Sequence, residues 1–230
     1  MPLFRLTREL AFPPPSLSMP DGLLAIGGDL SVERLLLAYR SGIFPWFSEG
    51  DPILWWSPDP RMLLFPEEFH LSRRLERTIK QGVFEVRMDT VFDDVIAACA
   101  AARGPKRQGT WITRAMREAY VRLHREGYAH SVEAWQDGEL VGGLYGVSLG
   151  ACFFGESMFS RVPNASKIAT AALVRHVARW GFPFIDCQLH NAHLERLGAR
   201  EVPRAEFLER LERALERETR RGVWTFSGWT

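Results

Sequence analysis

Asp186 and Gln188, two residues apart in the run FPFIDCQL, pair a carboxylate with an amide. Together these groups could orient an attacking amine, accept its proton and hold a tetrahedral species. If the run is a strand, residues two apart share a face, so both side chains are expected together, with Ile185 and Cys187 pointing the other way. The plainer alternative is a polar pair that anchors a loop at a strand end. Glu156, in GESM, is either a solvated charge at the end of a strand or a hydrogen-bond acceptor in a site. Arg73, Arg77 and Lys80 recur at i, i+4 and i+7 and therefore share one helical face. Such a row either binds phosphate or is merely a solvated face, with Glu76 as a local partner. His190 and His193 have no third ligand at useful spacing, so no metal site is expected, and both should open the helix that follows the strand.

The elements that must position these residues are legible in part. The first third, with FPPPS, FPWF and ILWWSPDPR, reads as a small loop-rich domain over residues 1–61, and residues 62–230 as a larger one. Asp29, Leu30 and Ser31 offer caps for a helix over VERLLLAYR, which Gly42 stops. RMLLFPEEF reads as a strand, HLSRRLERTIKQG as a helix from near Ser72 to Gly82, and EVRMDT as a second strand. DTVFDDVIAACAAAR and TRAMREAYVRLHREG carry apolar residues three and four apart, so both read as amphipathic helices, linked by Gly104 to Gly109. HSVEAWQ and ELVGGLYGVSL flank Asp137-Gly138, a tight hairpin turn, and CFFGESMF extends the meander after a turn at Gly150. NASKIATAALVRHVARWG follows as a helix, then the FPFIDCQL strand and a short helix in HLERLGA. RAEFLERLERALERETRRG is expected as one closing helix whose charges alternate at i, i+4 and pair with each other.

Composition sets limits without naming a function. The chain has 230 residues, 46% of them hydrophobic, which is enough to fill a core. Cys99, Cys152 and Cys187 are odd in number and far apart, which argues against a disulfide framework or zinc site and fits a reducing, cytoplasmic setting. No signal peptide or membrane span is expected. The net charge of +1 supplies no global field, so a nucleic-acid partner would need a local basic cluster.

The order of the last hundred residues, a meander, a long helix, a strand ending at a polar pair and then HLERLGA, resembles the Gcn5-related N-acetyltransferase fold. The class expected is therefore α+β: a small loop-rich N-terminal domain followed by an acetyltransferase-like mixed sheet with flanking helices. In such folds a glycine-rich turn before the long helix cradles coenzyme A pyrophosphate. Here that turn reads SRVPNASK, without the glycines, which argues against coenzyme A.

GLLAIGGDLS, RSGIFPWF, ILWWSPDPR, GTWIT, AHSVE, LVGGLYGV, FFGESMFS, NASK and IDCQ, in this order over nearly the whole chain, resemble the leucyl/phenylalanyl-tRNA-protein transferase family. The resemblance implies transfer of Leu or Phe, and also Met, from aminoacyl-tRNA to proteins that begin with Arg or Lys, which marks them for N-degron degradation. It implies no cofactor or metal, and one complete site per chain makes a monomer sufficient. By the same resemblance Asp186 and Gln188 act at the reacting ester, with Asp186 either a general base or an orienter. Glu156 becomes an acceptor near the tRNA terminus. Leu144, Phe153, Met158, Leu173 and Ile185 line the pocket for the transferred side chain, where Thr170 is unexpectedly polar. Trp46, Trp111 and Tyr120, otherwise core plugs, become the platform for the terminal adenine; Trp55 and Trp56 remain packing residues. Arg73, Arg77 and Lys80 contact tRNA phosphates, and Asn191 reaches toward the acceptor peptide. Two rival readings are a coenzyme A dependent N-acetyltransferase and a tRNA-binding module without chemistry.

Overall fold

The structure, a computed structural model, describes residues 3–102 and 111–229; the expected link from Gly104 to Gly109 lies outside them. Its first elements are β1 (Phe4–Leu6), β2 (Leu23–Gly27), α1 (Val32–Arg40), β3 (Phe44–Pro45) and β4 (Leu54–Trp56). The strands form a sheet in the order β1-β2-β4-β3, where the sequence pattern predicts a helix and loops but no strands. Strands of two to five residues are too short to show an alternating pattern. Trp55 is fully buried and its indole N–H donates to the Gly27 carbonyl at 2.9 Å, while Trp56 donates to the Trp46 carbonyl at 2.7 Å. Ser31 caps α1 by accepting from the Arg34 N–H. Gly42, at φ 71°, ends the turn after it, and a Cβ there would lie 2.6 Å from Leu208, so the position needs both the left-handed backbone and the missing side chain.

The second sheet contains β5 (Arg61–Leu64), β6 (Glu85–Met88), β7 (Ala129–Gln136), β8 (Glu139–Leu149), β9 (Cys152–Ser160), β10 (Phe184–Gln188) and β11 (Arg200–Val202). Between its strands run α2 (Arg73–Lys80), α3 (Phe92–Ala101), α4 (Arg114–Arg125), α5 (Ala165–Arg179), α6 (Ala192–Glu195) and finally α7 (Arg204–Leu215). The order is β11-β5-β10-β9-β8-β7-β6, with β9 and β10 parallel across the α5 crossover and the other pairs antiparallel. Asp137 and Gly138 both take positive φ, 52° and 79°, in the hairpin between β7 and β8. The fold is thus α+β, with the small first sheet beside a mixed sheet and its flanking helices. One apolar core joins Leu24, Tyr39 and Trp55 of the first part to Phe153, Phe184 and Phe207 of the second.

Helices cover both faces of the large sheet. Tyr145 of β8 meets Phe92 of α3 and Tyr120 of α4 through ring contacts, whereas Leu144 lines a cavity with Leu173 of α5. Adjacent strand residues point to opposite faces, so α3 and α4 lie on one side and α5 on the other. On the α5 side a Cβ at Gly142 would come within 2.5 Å of the Ala165 side chain, so this glycine lets the start of the helix approach. Leu75 of α2 joins Ala165 and Ile168 of α5 in a second apolar cluster. Ser72 and Thr113 cap α2 and α4; α3 has no cap of its own and is held by Glu133 of β7, which accepts from the Thr90 and Val91 N–H groups.

The closing helix is shorter than its charge pattern suggests. Arg210 pairs with Glu206 and Arg213 with Glu209 at i, i+4, but α7 stops at Leu215. Beyond it the arginines leave the pattern: Arg217 donates to the Gly181 and Trp180 carbonyls, and Arg221 to Glu126. The chain then turns Trp224 inward, where it is 3% exposed and stacks on His130 with ring centroids 3.8 Å apart. Burying that indole outweighs another turn of solvated helix, since a large aromatic contributes far more than the residual preference of Arg and Glu for helix.

Candidate active site

Two cavities meet at one wall. The first, about 230 Å³, is lined by Leu144, Phe153, Met158, Leu173 and Ile185, drawn from β8, β9, α5 and β10. All five residues proposed for an apolar pocket are thus brought together. Thr170 also lines it, and its hydroxyl donates to the Ser166 carbonyl at 2.9 Å, which satisfies the polar group within the helix. The second cavity, about 220 Å³, has Phe44, Trp46, Trp111 and His190 in its lining. Glu156, Cys187, Gln188 and Asn191 line both.

The centre of the shared wall is Glu156. Oε1 accepts from the Tyr39 hydroxyl at 2.7 Å and from the Gln188 side-chain amide at 2.7 Å, and Oε2 accepts from the Tyr120 hydroxyl at 3.0 Å. The two tyrosine oxygens also lie in contact; each hydroxyl has one proton, so they bond to each other only when one of them turns from donating to Glu156, as when the protonated carboxyl donates to it. Burial pushes the Glu156 carboxyl up to about 7, a rise that the donors from Tyr39, Tyr120 and Gln188 oppose and the nearby charge of Asp186 adds to. Both phenols are held well above their ordinary value, first by burial and then by the Glu156 charge, so they stay protonated and remain donors.

Asp186 and Gln188 do not share a face. Gln188 takes φ 64°, and the pairing of β10 with β5 slips between Asp186 and Gln188. This bulge breaks the alternation, so Gln188 joins Ile185 and Cys187 on the cavity side. Asp186 goes to the other side, is 0% exposed, and lines neither cavity. Its Oδ1 accepts from Arg61 Nε at 2.8 Å and Oδ2 from Nη2 at 2.7 Å. Oδ1 also accepts from the backbone N–H of Gln188 at 2.9 Å. Arg61 is itself buried, donates to the Gly42 carbonyl, and lies 4.9 Å and 4.5 Å from the ring centroids of Phe44 and Phe207. A bidentate buried pair of this kind fixes its members in place. Asp186 thereby holds the strained backbone that aims Gln188 into the site.

Other candidates divide. Trp46, 38% exposed, and half-buried Trp111 both border the second cavity, but Tyr120 is 0% exposed and presents no ring face for stacking. Tyr120 is therefore removed from the expected platform, because its ring is committed to the core and its hydroxyl to Glu156 and Tyr39. Asn191 is exposed at the rim, where its Oδ1 caps α6 by accepting from the His193 N–H at 2.9 Å. Arg73, Arg77 and Lys80 are exposed on α2, outside both cavities, with no ion pair among the described residues. His190 lies 4.0 Å from Glu195 and 3.9 Å from Glu201; among the described residues no three His, Cys, Asp or Glu are grouped to hold a metal ion. Sequence reasoning missed Tyr39 and Arg61. Arg61 stands inside ILWWSPDPR, yet nothing local distinguishes it, since its partner is 125 residues away.

A family model described as leucyl/phenylalanyl-tRNA protein transferase matches residues 63–212, and one for the N-terminal domain of that family matches residues 28–59. A protein from Anaeromyxobacter sp. (strain Fw109-5), named leucyl/phenylalanyl-tRNA–protein transferase, is 59% identical over 224 residues, 97% of this chain and 95% of its own. Relatives of the same name from Nitrosospira multiformis and Myxococcus xanthus are 58% and 55% identical, covering 96% and 98% of this chain and 96% and 97% of theirs. A solved structure, that of L-PGS from Bacillus licheniformis, aligns at 10% identity with a TM-score of 0.41 over 73% of this chain and 53% of that one.

Proposed function

The chain belongs to the leucyl/phenylalanyl-tRNA protein transferase family, and on that premise we propose how its two cavities divide an aminoacyl transfer between them. Membership makes it an aminoacyltransferase that works between aminoacyl-tRNA and protein. The first cavity takes the side chain of Leu, Phe or Met. Its wall of aliphatic, aromatic and thioether groups suits these residues, while a charged side chain would be desolvated there. The second takes the terminal adenosine between Trp46 and Trp111, where stacking is worth about 1–3 kcal/mol. The ester that joins amino acid to ribose then lies against the shared wall, at Gln188 and Glu156.

In this reading the acceptor α-amine attacks the ester carbonyl carbon. A C–N bond forms, the C–O bond to the ribose breaks, the amine loses a proton, and the ribose oxygen leaves as a hydroxyl. Gln188 Oε1 accepts a hydrogen bond from the amine, because its Nε2 is committed to Glu156. Glu156 is the carboxylate lining both cavities, and with its carboxyl near 7 it is poised to balance the positive charge that grows on nitrogen and to take the proton. Asp186 lines neither cavity and is tied to the Arg61 cation and the Gln188 N–H, so it serves as an orienter rather than as the base. The α2 row of Arg73, Arg77 and Lys80 meets tRNA phosphates, and Asn191 at the rim meets the acceptor. The acceptors are proteins that begin with Arg or Lys, the product is an N-degron, and a cytoplasmic monomer suffices for the task.

The observation that carries this reading is the Glu156–Gln188 hydrogen bond at the wall common to an apolar and a tryptophan-lined cavity. The start of α5 adds to the case against coenzyme A: the Ser166 N–H is taken by the Ser160 hydroxyl at 3.2 Å, so it is spent before any pyrophosphate could use it. Single-turnover transfer from Phe-, Leu- and Met-tRNA to peptides that start with Arg, Lys or Ala tests the proposal. Product with the Arg and Lys peptides and inhibition by puromycin, an aminoacyl-adenosine analogue, are expected. Thiol release from acetyl-coenzyme A without aminoacyl transfer would overturn it.

A further inference from the structure

Helix α4 has two working faces. Inward, Tyr120 holds Glu156. Outward, between α3 and α4, runs a groove of about 760 Å³ bordered by Arg114, Arg117, Arg122 and Arg125, with Asp93 and Glu118 as its acidic members. All four arginines are exposed, and the row from Arg114 to Arg125 extends along about 16 Å of helix. Arg114 is paired with Glu118 at 2.8 Å and Arg122 donates to the Leu30 carbonyl at 3.3 Å. Arg117 and Arg125 have no ion pair among the described residues, so the groove keeps an uncompensated positive charge in a chain whose net charge is only +1.

Its position supplies the second argument. Trp111 lines the second cavity and the next residue, Ile112, lines this groove, so neighbouring residues of one segment border both. Thr113 caps the helix immediately beyond. Arg114, the first arginine of the row, follows Trp111 by three residues, so the start of the row stands close to the tryptophan-lined cavity.

We propose that this α3–α4 groove is an RNA-binding surface that receives the backbone phosphates of the single-stranded 3′ end of aminoacyl-tRNA, with Arg117 and Arg125 as its contacting charges. The proposal rests on the assignment of the second cavity to the terminal adenosine. It gives the tRNA a contact on the sheet face opposite α5, separate from the α2 row. Guanidinium groups on a rigid helix suit phosphate oxygens, and each phosphate neutralised releases counterions.

The test is equilibrium binding of full-length tRNA carrying an amide-linked Phe, from 50 to 200 mM salt, to the intact wild-type chain and to Arg117→Gln/Arg125→Gln. Puromycin inhibition and thermal unfolding are measured in parallel. Loss of two single-strand phosphate contacts makes the slope of log affinity against log salt shallower by about 1.4, so wild-type affinity falls about 7-fold more than the variant's across that range. The inhibition constant of puromycin, corrected for the weaker competing tRNA, and thermal unfolding should stay unchanged, because both substituted side chains are exposed and outside the two cavities of the active site. Arg117→Glu/Arg125→Glu should weaken tRNA binding further. Parallel salt slopes for wild type and variant overturn the proposal, as does a variant that loses affinity only for an acidic acceptor protein. Failure of puromycin to inhibit the wild type is a different result: it removes the adenosine assignment, and the groove proposal falls with it even if the slopes differ.

Discussion

Replacing Glu156 by Gln should make the protein more stable in mild alkali and remove one step from its pH–rate profile. In the folded state the Glu156 carboxyl is raised from 4.5 to about 7, chiefly by burial. An acid whose folded pKa is raised binds more protons folded than unfolded between these values, so stability falls as pH rises through them and the full penalty is present above about 7. The 2.5-unit difference between 4.5 and about 7 corresponds to about 3 kcal/mol. Gln copies the protonated carboxyl. Its oxygen can accept from Tyr39 and Gln188 as Oε1 does, and its amide can donate to the Tyr120 hydroxyl, which rotates to donate to Tyr39. Urea unfolding followed by tryptophan fluorescence at pH 6 and pH 8.5 should therefore show the variant gaining on wild type by about 1.4 kcal/mol between the two, since part of the penalty is already present at pH 6. Single-turnover transfer by wild type should rise through about pH 7 as Glu156 ionises, whereas the variant should keep only the titration of the acceptor amine near ~8. An unchanged stability difference between wild type and variant at the two pH values would refute a carboxylate penalised by burial, and a transfer step near 7 persisting in the variant would take Glu156 out of the chemistry.

Other perturbations separate positioning from packing. Gln188→Gly keeps the left-handed backbone at φ 64° and deletes the side chain, so thermal unfolding should hardly change while single-turnover transfer falls about 100-fold; a near wild-type rate would release Gln188 from the mechanism. Asp186→Asn leaves Arg61 with an unmatched buried charge and should cost about 3–5 kcal/mol in urea unfolding, whereas Arg61→Met/Asp186→Leu should recover most of that stability without recovering the transfer rate. Recovery of the rate by the apolar pair would show that no charge is needed behind Gln188. Substituting Ala for Arg73, Arg77 and Lys80 should flatten the salt dependence of tRNA binding and leave acceptor-peptide affinity unchanged, which a salt titration of each checks.

Local physics determined much of the chain. Ser31, Ser72 and Thr113 stand where a side-chain oxygen meets the free N–H groups of a first turn, and Asp137-Gly138 supplies the two positive φ values of a hairpin, so these boundaries are readable from a few adjacent residues. The apolar period placed α3 and α4, and the run of family strings pointed to aminoacyl transfer. Only the tertiary structure decided which side chains meet. Period-two reasoning put Asp186 beside Gln188, but a left-handed Gln has no local signature, and the bulge that permits it is fixed by pairing with β5, over a hundred residues earlier. Arg61 and Tyr39 find Asp186 and Glu156 at separations of 125 and 117 residues, contacts that no spacing rule encodes. The end of α7 at Leu215 was likewise settled at a distance, where the carbonyls of Trp180, Gly181 and Glu126 and a cleft beside His130 offered Arg217, Arg221 and Trp224 better partners than the next helical turn. Capping, turns and periodicity act within a few residues and are written in sequence; the neutralisation of a buried charge and the filling of a core are set by whichever groups the folded chain brings into contact.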